Sequence, residues 1–124
     1  MSTIKSYTDI LQSRKLAEIL PLESADMKWF FWKEEIDAPK TPTFGYSKTA
    51  AESYKDTEAV YIACWSLSAL LGVLPDYTLQ TNTDGTVFVV CESKKPMISE
   101  AYDNPVDACY TLILKLHELN LLWL

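Results

Sequence analysis

Apolar and polar positions change their period several times along the chain, and each change marks an element. Residues 7–20 are good helix formers that stop at Pro21, and Ser6-Tyr-Thr-Asp9 has capping-box spacing with Asp9 in the usual glutamate position. A first helix is expected there. Its stripe is uneven, with Ile10 and Leu11 in one apolar group and Leu16, Ala17, Ile19 and Leu20 in another, which fits a break near residues 12–15. Met27-Lys-Trp-Phe-Phe-Trp-Lys33 is too short and too aromatic for a helix and reads as a strand. Trp29 and Phe31 then share one face, and Phe30 and Trp32 the other. Aromatics on both faces imply a strand that is central or covered, or one that shows a pair of rings to a partner.

The pattern dissolves over residues 34–55, where Pro39, Pro42, Gly45 and many Ser, Thr and Lys residues predict a candidate mobile loop. The segment still carries Phe44, Tyr46 and Tyr54. These rings either tuck onto the domain or form an extra strand, or else contact a ligand or partner.

Residues 59–63 read as a short strand, and Leu67, Leu70, Leu71 and Leu74 follow with helical spacing before Pro75, so a short buried helix is expected at 66–74. Two alternating runs then flank Asn82-Thr-Asp-Gly85, whose Asp-Gly step suits a tight turn; a β-hairpin is expected at 77–91, with Lys94-Lys-Pro96 closing its second strand. Asn104 before Pro105 is a strong helix start, and the helix should run over 105–120. Val106, Cys109, Tyr110, Ile113, Leu116 and His117 line its apolar stripe, opposite Asp107, Thr111, Lys115 and Glu118. The terminal Leu121-Leu-Trp-Leu124 needs cover, under the sheet or across an oligomer interface. Together these elements predict an α+β fold. One domain over residues 1–124 holds a small antiparallel sheet, with the hairpin at 77–91, packed by three helices at 7–20, 66–74 and 105–120.

Length supports that reading, since 124 residues split in two would leave each half too small a core. Charge narrows the function classes. Seventeen acids against eleven bases give a net −6, only Arg14 among the bases is an arginine, and phosphate-backbone binding is disfavoured as the main task. The halves before and after Thr57 carry −1 (8 bases, 9 acids) and −5 (3 bases, 8 acids). Such an acidic surface aids solubility and favours basic partners.

Cys64, Cys91 and Cys109 are odd in number, widely spaced and set among apolar neighbours, which suggests buried free thiols in a reducing compartment rather than a disulfide framework or a zinc site. The first residues lack an apolar leader, and the longest uncharged run, residues 59–75, contains Ser66, Ser68 and Gly72 and is short of a membrane span. A cytoplasmic protein with no membrane partner is the expectation.

Chemistry-bearing patterns are sparse. His117 is the single histidine, and its place on the stripe of the last helix suggests a packed, hydrogen-bonded residue rather than a catalytic one. Glu100, Asp103 and Asp107 cluster at the start of that helix and have the makings of a cation or acid–base site, although acids are favoured at helix N-termini for dipole reasons alone. Glu34, Glu35 and Asp37 are a second, sequential acidic group. Three glycines, at 45, 72 and 85, form no nucleotide-binding cradle or nucleophile elbow. No catalytic residue, cofactor or metal ligand is assigned on this basis.

Three segments together resemble a group of small uncharacterised proteins encoded in phage-like and other mobile elements of gut bacteria. They are the stretch from Leu16 to Met27, that from Trp65 to Pro75, and Asn104-Pro-Val-Asp-Ala-Cys-Tyr110 with its continuation Leu116-His-Glu-Leu-Asn120. The resemblance spans most of the chain, least over residues 36–56. It implies an intracellular accessory protein and assigns no functional residue.

Taken with the residues themselves, the leading expectation is a non-enzymatic domain that binds a protein partner or itself through exposed aromatic and leucine surface: Trp29, Trp32, Phe44, Tyr46, Leu122 and Trp123. A second is a small-molecule binder or minor enzyme with an aromatic pocket and a carboxylate such as Asp103 or Asp107. A third is an acidic mimic of nucleic acid that occupies a basic protein.

Overall fold

The computed structural model describes residues 5–35, 37, 40–92 and 96–122. In chain order the elements are α1 (Ile10–Ile19), β1 (Met27–Trp32), β2 (Thr43–Phe44), α2 (Lys48–Ser53), β3 (Ala59–Cys64), α3 (Leu67–Val73), β4 (Tyr77–Thr81), β5 (Val87–Cys91), β6 (Met97–Ile98) and α4 (Pro105–Glu118). Single 3-10 turns lie at Leu22–Ser24 and Lys33–Glu35. The chain is thus an α+β domain, with two three-stranded antiparallel sheets in place of one, ordered β2-β1-β3 and β4-β5-β6. Among the described residues no helix is long and apolar enough to cross a membrane.

Local chemistry sets most element ends. α1 begins three residues later than its composition suggests. The capping box is Asp9 with Gln12, the Asp9 carboxylate accepting the Gln12 N–H and the Gln12 side chain accepting the Asp9 N–H. Tyr7 and Thr8 are drawn out of the helix because they bond across to the chain entering α3: Tyr7 bridges Ser66, and the Thr8 N–H donates to the Trp65 carbonyl. No break interrupts α1. Ser66 and Asn104 cap α3 and α4, each side chain accepting the amide three residues on. At its far end α4 stops through Asn120, whose φ of +56° turns the chain left-handed. The Asn120 N–H then reaches the His117 carbonyl and the Leu121 N–H reaches Leu116.

α4 is the spine of the core. Val106, Ala108, Cys109, Leu112, Ile113 and Leu116 are buried, against β5 on one side and α3 on the other. The buried stripe is rotated from the expected one toward Ala108 and Leu112, so His117 is exposed in the last turn instead of packed. Trp65, Leu16, Leu70 and Val89 complete this core, each fully buried. A leucine so placed contributes roughly 1.5–3 kcal/mol relative to exposure. Residues 34–55 are more built than a loop. They contain β2, which pairs with β1, and a fourth helix, α2, capped by Ser47. The helix was not legible because Lys-Thr-Ala-Ala-Glu-Ser has no apolar period. Lys94 and Lys95, with the expected strand end there, lie outside the described residues.

Candidate functional site

The alternation of β1 divides its rings as the period-two pattern requires. Met27, Trp29 and Phe31 are buried, and Phe30 and Trp32 stand on the opposite face, 36% and 39% exposed. β1 is the central strand of its sheet, so both of its edges are paired. On the inner face Trp29 meets Tyr7 edge-on at 5.8 Å, and its Nε1–H donates to the Thr8 carbonyl at 3.3 Å.

Thr8 itself is a fully buried polar hub behind this strand. Its hydroxyl lies 2.8 Å from that of Ser13 and accepts the Trp65 N–H at 3.2 Å, and the Cys64 sulfur is 3.6 Å away. A parallel tie sits beside it. The Asp26 carboxylate accepts the Ser66 N–H and hydroxyl, and Trp65 Nε1–H donates to the Ser24 hydroxyl at 2.9 Å. These bonds hold β1 and β3 rigidly on the core, which is what fixes the rings on the outer face.

That outer face carries a connected set of aromatic side chains. Register places Tyr61 of β3 directly opposite Phe30, with ring centroids 5.9 Å apart. Tyr54, at the C-terminal end of α2, lies 4.9 Å from Phe30, 6.3 Å from Trp32 and 5.8 Å from Tyr61, edge-on to the first two and stacked on the third. Phe30 and Trp32 are themselves edge-to-face at 5.8 Å, and Tyr46 tilts against Tyr61 at 5.6 Å. Such edge and offset contacts are the geometry that the ring quadrupole favours. Lys28 adds its ammonium at 5.9 Å from the Tyr61 ring, within cation–π reach.

α2 is held over the rings by one bond in particular, the Ser47 N–H to the Tyr61 hydroxyl at 3.1 Å. The chain reaches that position through Gly45, whose φ of +94° is open to glycine and strained for other residues, with the Lys28 ammonium close beside it. Burial raises the Tyr46 hydroxyl above its ordinary pKa, with smaller contributions from Tyr61 and Glu52 nearby.

The residues named from sequence are dispersed by the fold. Trp32 and Tyr46 belong to the outer aromatic face. Trp29 is buried on the opposite side of the same strand, and Phe30 takes the surface place beside Trp32. Phe44, 75% exposed, pairs with Met27 in β2 and so projects on the Trp29 side of the sheet. Leu122 lies far along the chain, lining a small cavity of about 150 Å³ with Ile19, His117 and Asn120. Trp123 lies outside the described residues.

The acidic group at the start of α4 is likewise divided. Asp107 accepts from the Lys5 ammonium at 2.8 Å, from Gln12 Nε2 at 2.9 Å and from Asn104 Nδ2 at 2.8 Å, clasping the N-terminal ends of α1 and α4 together. Burial pulls its pKa upward, but the bonds from Lys5, Asn104 and Gln12 outweigh it and hold the carboxyl below its usual value. For Lys5 burial pulls downward, and the bonds to Asp107 and Asp9 outweigh it in turn, so its pKa is raised. Asp103 is bonded by Asn104, and Glu100 lines a separate cavity of about 110 Å³ with Ser99, Thr111, Leu112 and Lys115. Among the described residues no group of three or more His, Cys, Asp or Glu side chains is placed to hold a metal ion.

The three cysteines are free and buried. Burial raises all three thiols, Cys91 to about 11 and Cys109, beside Cys91, to about 12. A thiol so protonated is a poor nucleophile.

Phe30, Tyr54 and Tyr61 are the members of the aromatic face absent from the candidate surface read from sequence, although the sequence marks Tyr54 among the ring-bearing residues of 34–55. A weak signal existed for Tyr61, a large ring between Ala59 and Ala63 at alternate positions of a strand. Comparison of the chain with family models, curated proteins and solved structures finds no match.

Proposed function

We propose that this chain is a non-enzymatic protein-interaction domain, and that its working surface is the outer aromatic face of the β2-β1-β3 sheet. One observation carries the reading: Phe30 and Trp32 remain more than a third exposed although they sit in a connected cluster with Tyr54, Tyr61 and Tyr46 on a rigid central strand. Rings already locked by their neighbours lose little entropy on binding, and tryptophan and tyrosine anchors of this kind dominate protein interfaces. The interlocked rings offer a surface more than a container. The two cavities described above are small for a ligand, at about 150 and 110 Å³, where small-molecule sites run to roughly 300–1,000 Å³. Asp107, the carboxylate best placed for acid–base work, is occupied by Lys5. An intracellular accessory role, of the kind its resemblance to proteins of phage-like elements implies, is part of the same proposal.

Photo-crosslinking in the native host tests it. A benzophenone amino acid at position 32 should yield a discrete adduct with another protein. The same group at position 11, where Leu11 is a lone exposed apolar residue on α1, should not. Adducts of equal yield at both positions, or only with nucleic acid at position 32, would reject the reading.

A further inference from the structure

The other sheet presents a surface of a different kind, an open strand edge. Among the described residues β4 is an edge strand, hydrogen-bonded to β5 alone, and every one of its five residues is exposed. At the ends of its ladder the Glu92 N–H donates to the Asp76 carbonyl and the Asn82 N–H to the Thr86 carbonyl. Bonded positions alternate along an antiparallel pair, so Thr78 and Gln80 are the residues whose backbone groups face β5. The N–H and C=O groups of Tyr77, Leu79 and Thr81 therefore point out from the sheet.

Folded proteins usually blunt such an edge with a lysine, a proline, a bulge or extreme shortness. Of the other sheet edges, β2 and β6 are two residues long and follow Pro42 and Pro96, and β3, though six residues long, has no exposed residue and packs against α1. β4 uses none of these devices, and its sequence Tyr-Thr-Leu-Gln-Thr holds no charge.

We propose that two copies of this chain join through β4, antiparallel about a two-fold axis at Leu79, to make one continuous six-stranded sheet. The strand complements itself in that register. Tyr77, Leu79 and Thr81 meet Thr81, Leu79 and Tyr77 of the second copy, so each outward N–H and C=O finds a partner. On the face shared with Val87, Val89 and Cys91, Leu79 packs on Leu79 and the Tyr77 ring on the Thr81 methyl. These apolar pairs cover the two large side chains that β4 leaves 42% and 37% exposed. At the seam itself no like charges meet, because the flanking Asp76 falls opposite Asn82 rather than another acid. The surface is separate from the aromatic face, so either proposal stands or fails without the other.

Sedimentation velocity of the full chain over a concentration series up to millimolar, with amide hydrogen exchange at the same concentrations, decides it. A species of twice 14.1 kDa is expected. In it the amides of Tyr77, Leu79 and Thr81 gain protection on dimerisation, while those of Thr78 and Gln80 are protected throughout. Leu79→Lys and Leu79→Glu should each weaken the dimer by about tenfold or more, since like charges then meet on the axis, and an equimolar mixture of the two should recover it. Neither change buries a charge in the monomer, and far-UV circular dichroism checks the fold. A monomer at every concentration would overturn the proposal, as would a dimer indifferent to both variants, a mixture that fails to recover, or a dimer lost on Trp32→Ala instead.

Discussion

The two sheets are of equal strand number and opposite design. In β2-β1-β3 the information lies in side chains. One face is sealed onto a polar hub at Thr8, and the other is tiled with rings under α2. In β4-β5-β6 one face of β5 is buried by α4, and the surface left over is backbone, the bare edge of β4. The difference teaches that exposure has two physical kinds here. Exposed rings offer apolar area that any complementary shape can cover, whereas exposed strand edges offer directional bonds that only another strand satisfies.

The contrast can be broken most forcefully from the core side. Leu112→Ala removes a fully buried side chain where α4 meets β5 and should cost about 2–5 kcal/mol, read as a fall in the urea midpoint. If the sheets are as distinct as they look, hydrogen exchange in that variant should rise first in β5 and only later in β1.

Next in size is the hub behind the aromatic sheet. Thr8→Val keeps the shape but leaves the buried Trp65 N–H without a partner, for about 1–3 kcal/mol, while the Ser13 hydroxyl retains the Thr8 carbonyl. Amides of β1 and β3 should then exchange faster with those of β4 and β5 unchanged; a uniform loss across both sheets would erase the distinction.

Asp107→Asn loosens the clasp that ties α1 to α4, with an expected cost near pH 7 of about 1 kcal/mol. The sign of its pH dependence follows from the folded pKa lying below the unfolded 3.8. The wild-type advantage is present above that value and disappears as pH falls through the folded pKa, so wild type and variant should converge in acid unfolding midpoints. A gap that widens in acid would contradict the Lys5 pairing.

Smallest is Tyr61→Phe. It deletes the acceptor of the Ser47 N–H, which water replaces at this exposed site, so about 0.5 kcal/mol or less is expected in thermal melts. Its use lies in the crosslinking experiment, where the loosened α2 should lower adduct yield at position 32 while global stability barely moves.

Much of the local structure could be read from the chain. Asn104-Pro105 marked the start of α4 to the residue, Asp84-Gly85 marked the hairpin, and the strand alternation separated Trp29 and Phe31 from Phe30 and Trp32. The site was legible in part. Trp32 and Tyr46 were named and lie on the aromatic face; Trp29 was named and is buried. Which parity of β1 faces the core depends on Thr8 and Trp65, far away in sequence, and nothing within Met27–Trp32 distinguishes one pair of rings from the other. Asp107 illustrates the same point for charge. Its neighbours in sequence suggested an acidic group, and the residue that governs it is Lys5, brought from the other end of the chain.

What the sequence determined by itself, then, are the features whose physics is local: helix caps, the turn at Gly85, and the period-two and period-3.6 faces, all of which act over a few residues. Only the tertiary structure decided that the strands divide into two sheets, that Tyr61 meets Phe30, that Asp107 meets Lys5, and that β4 among the described residues has a strand on one side only. Each of these is a pairing between distant segments, selected by the joint burial of the Trp65 and α4 core, and no local pattern encodes the partner.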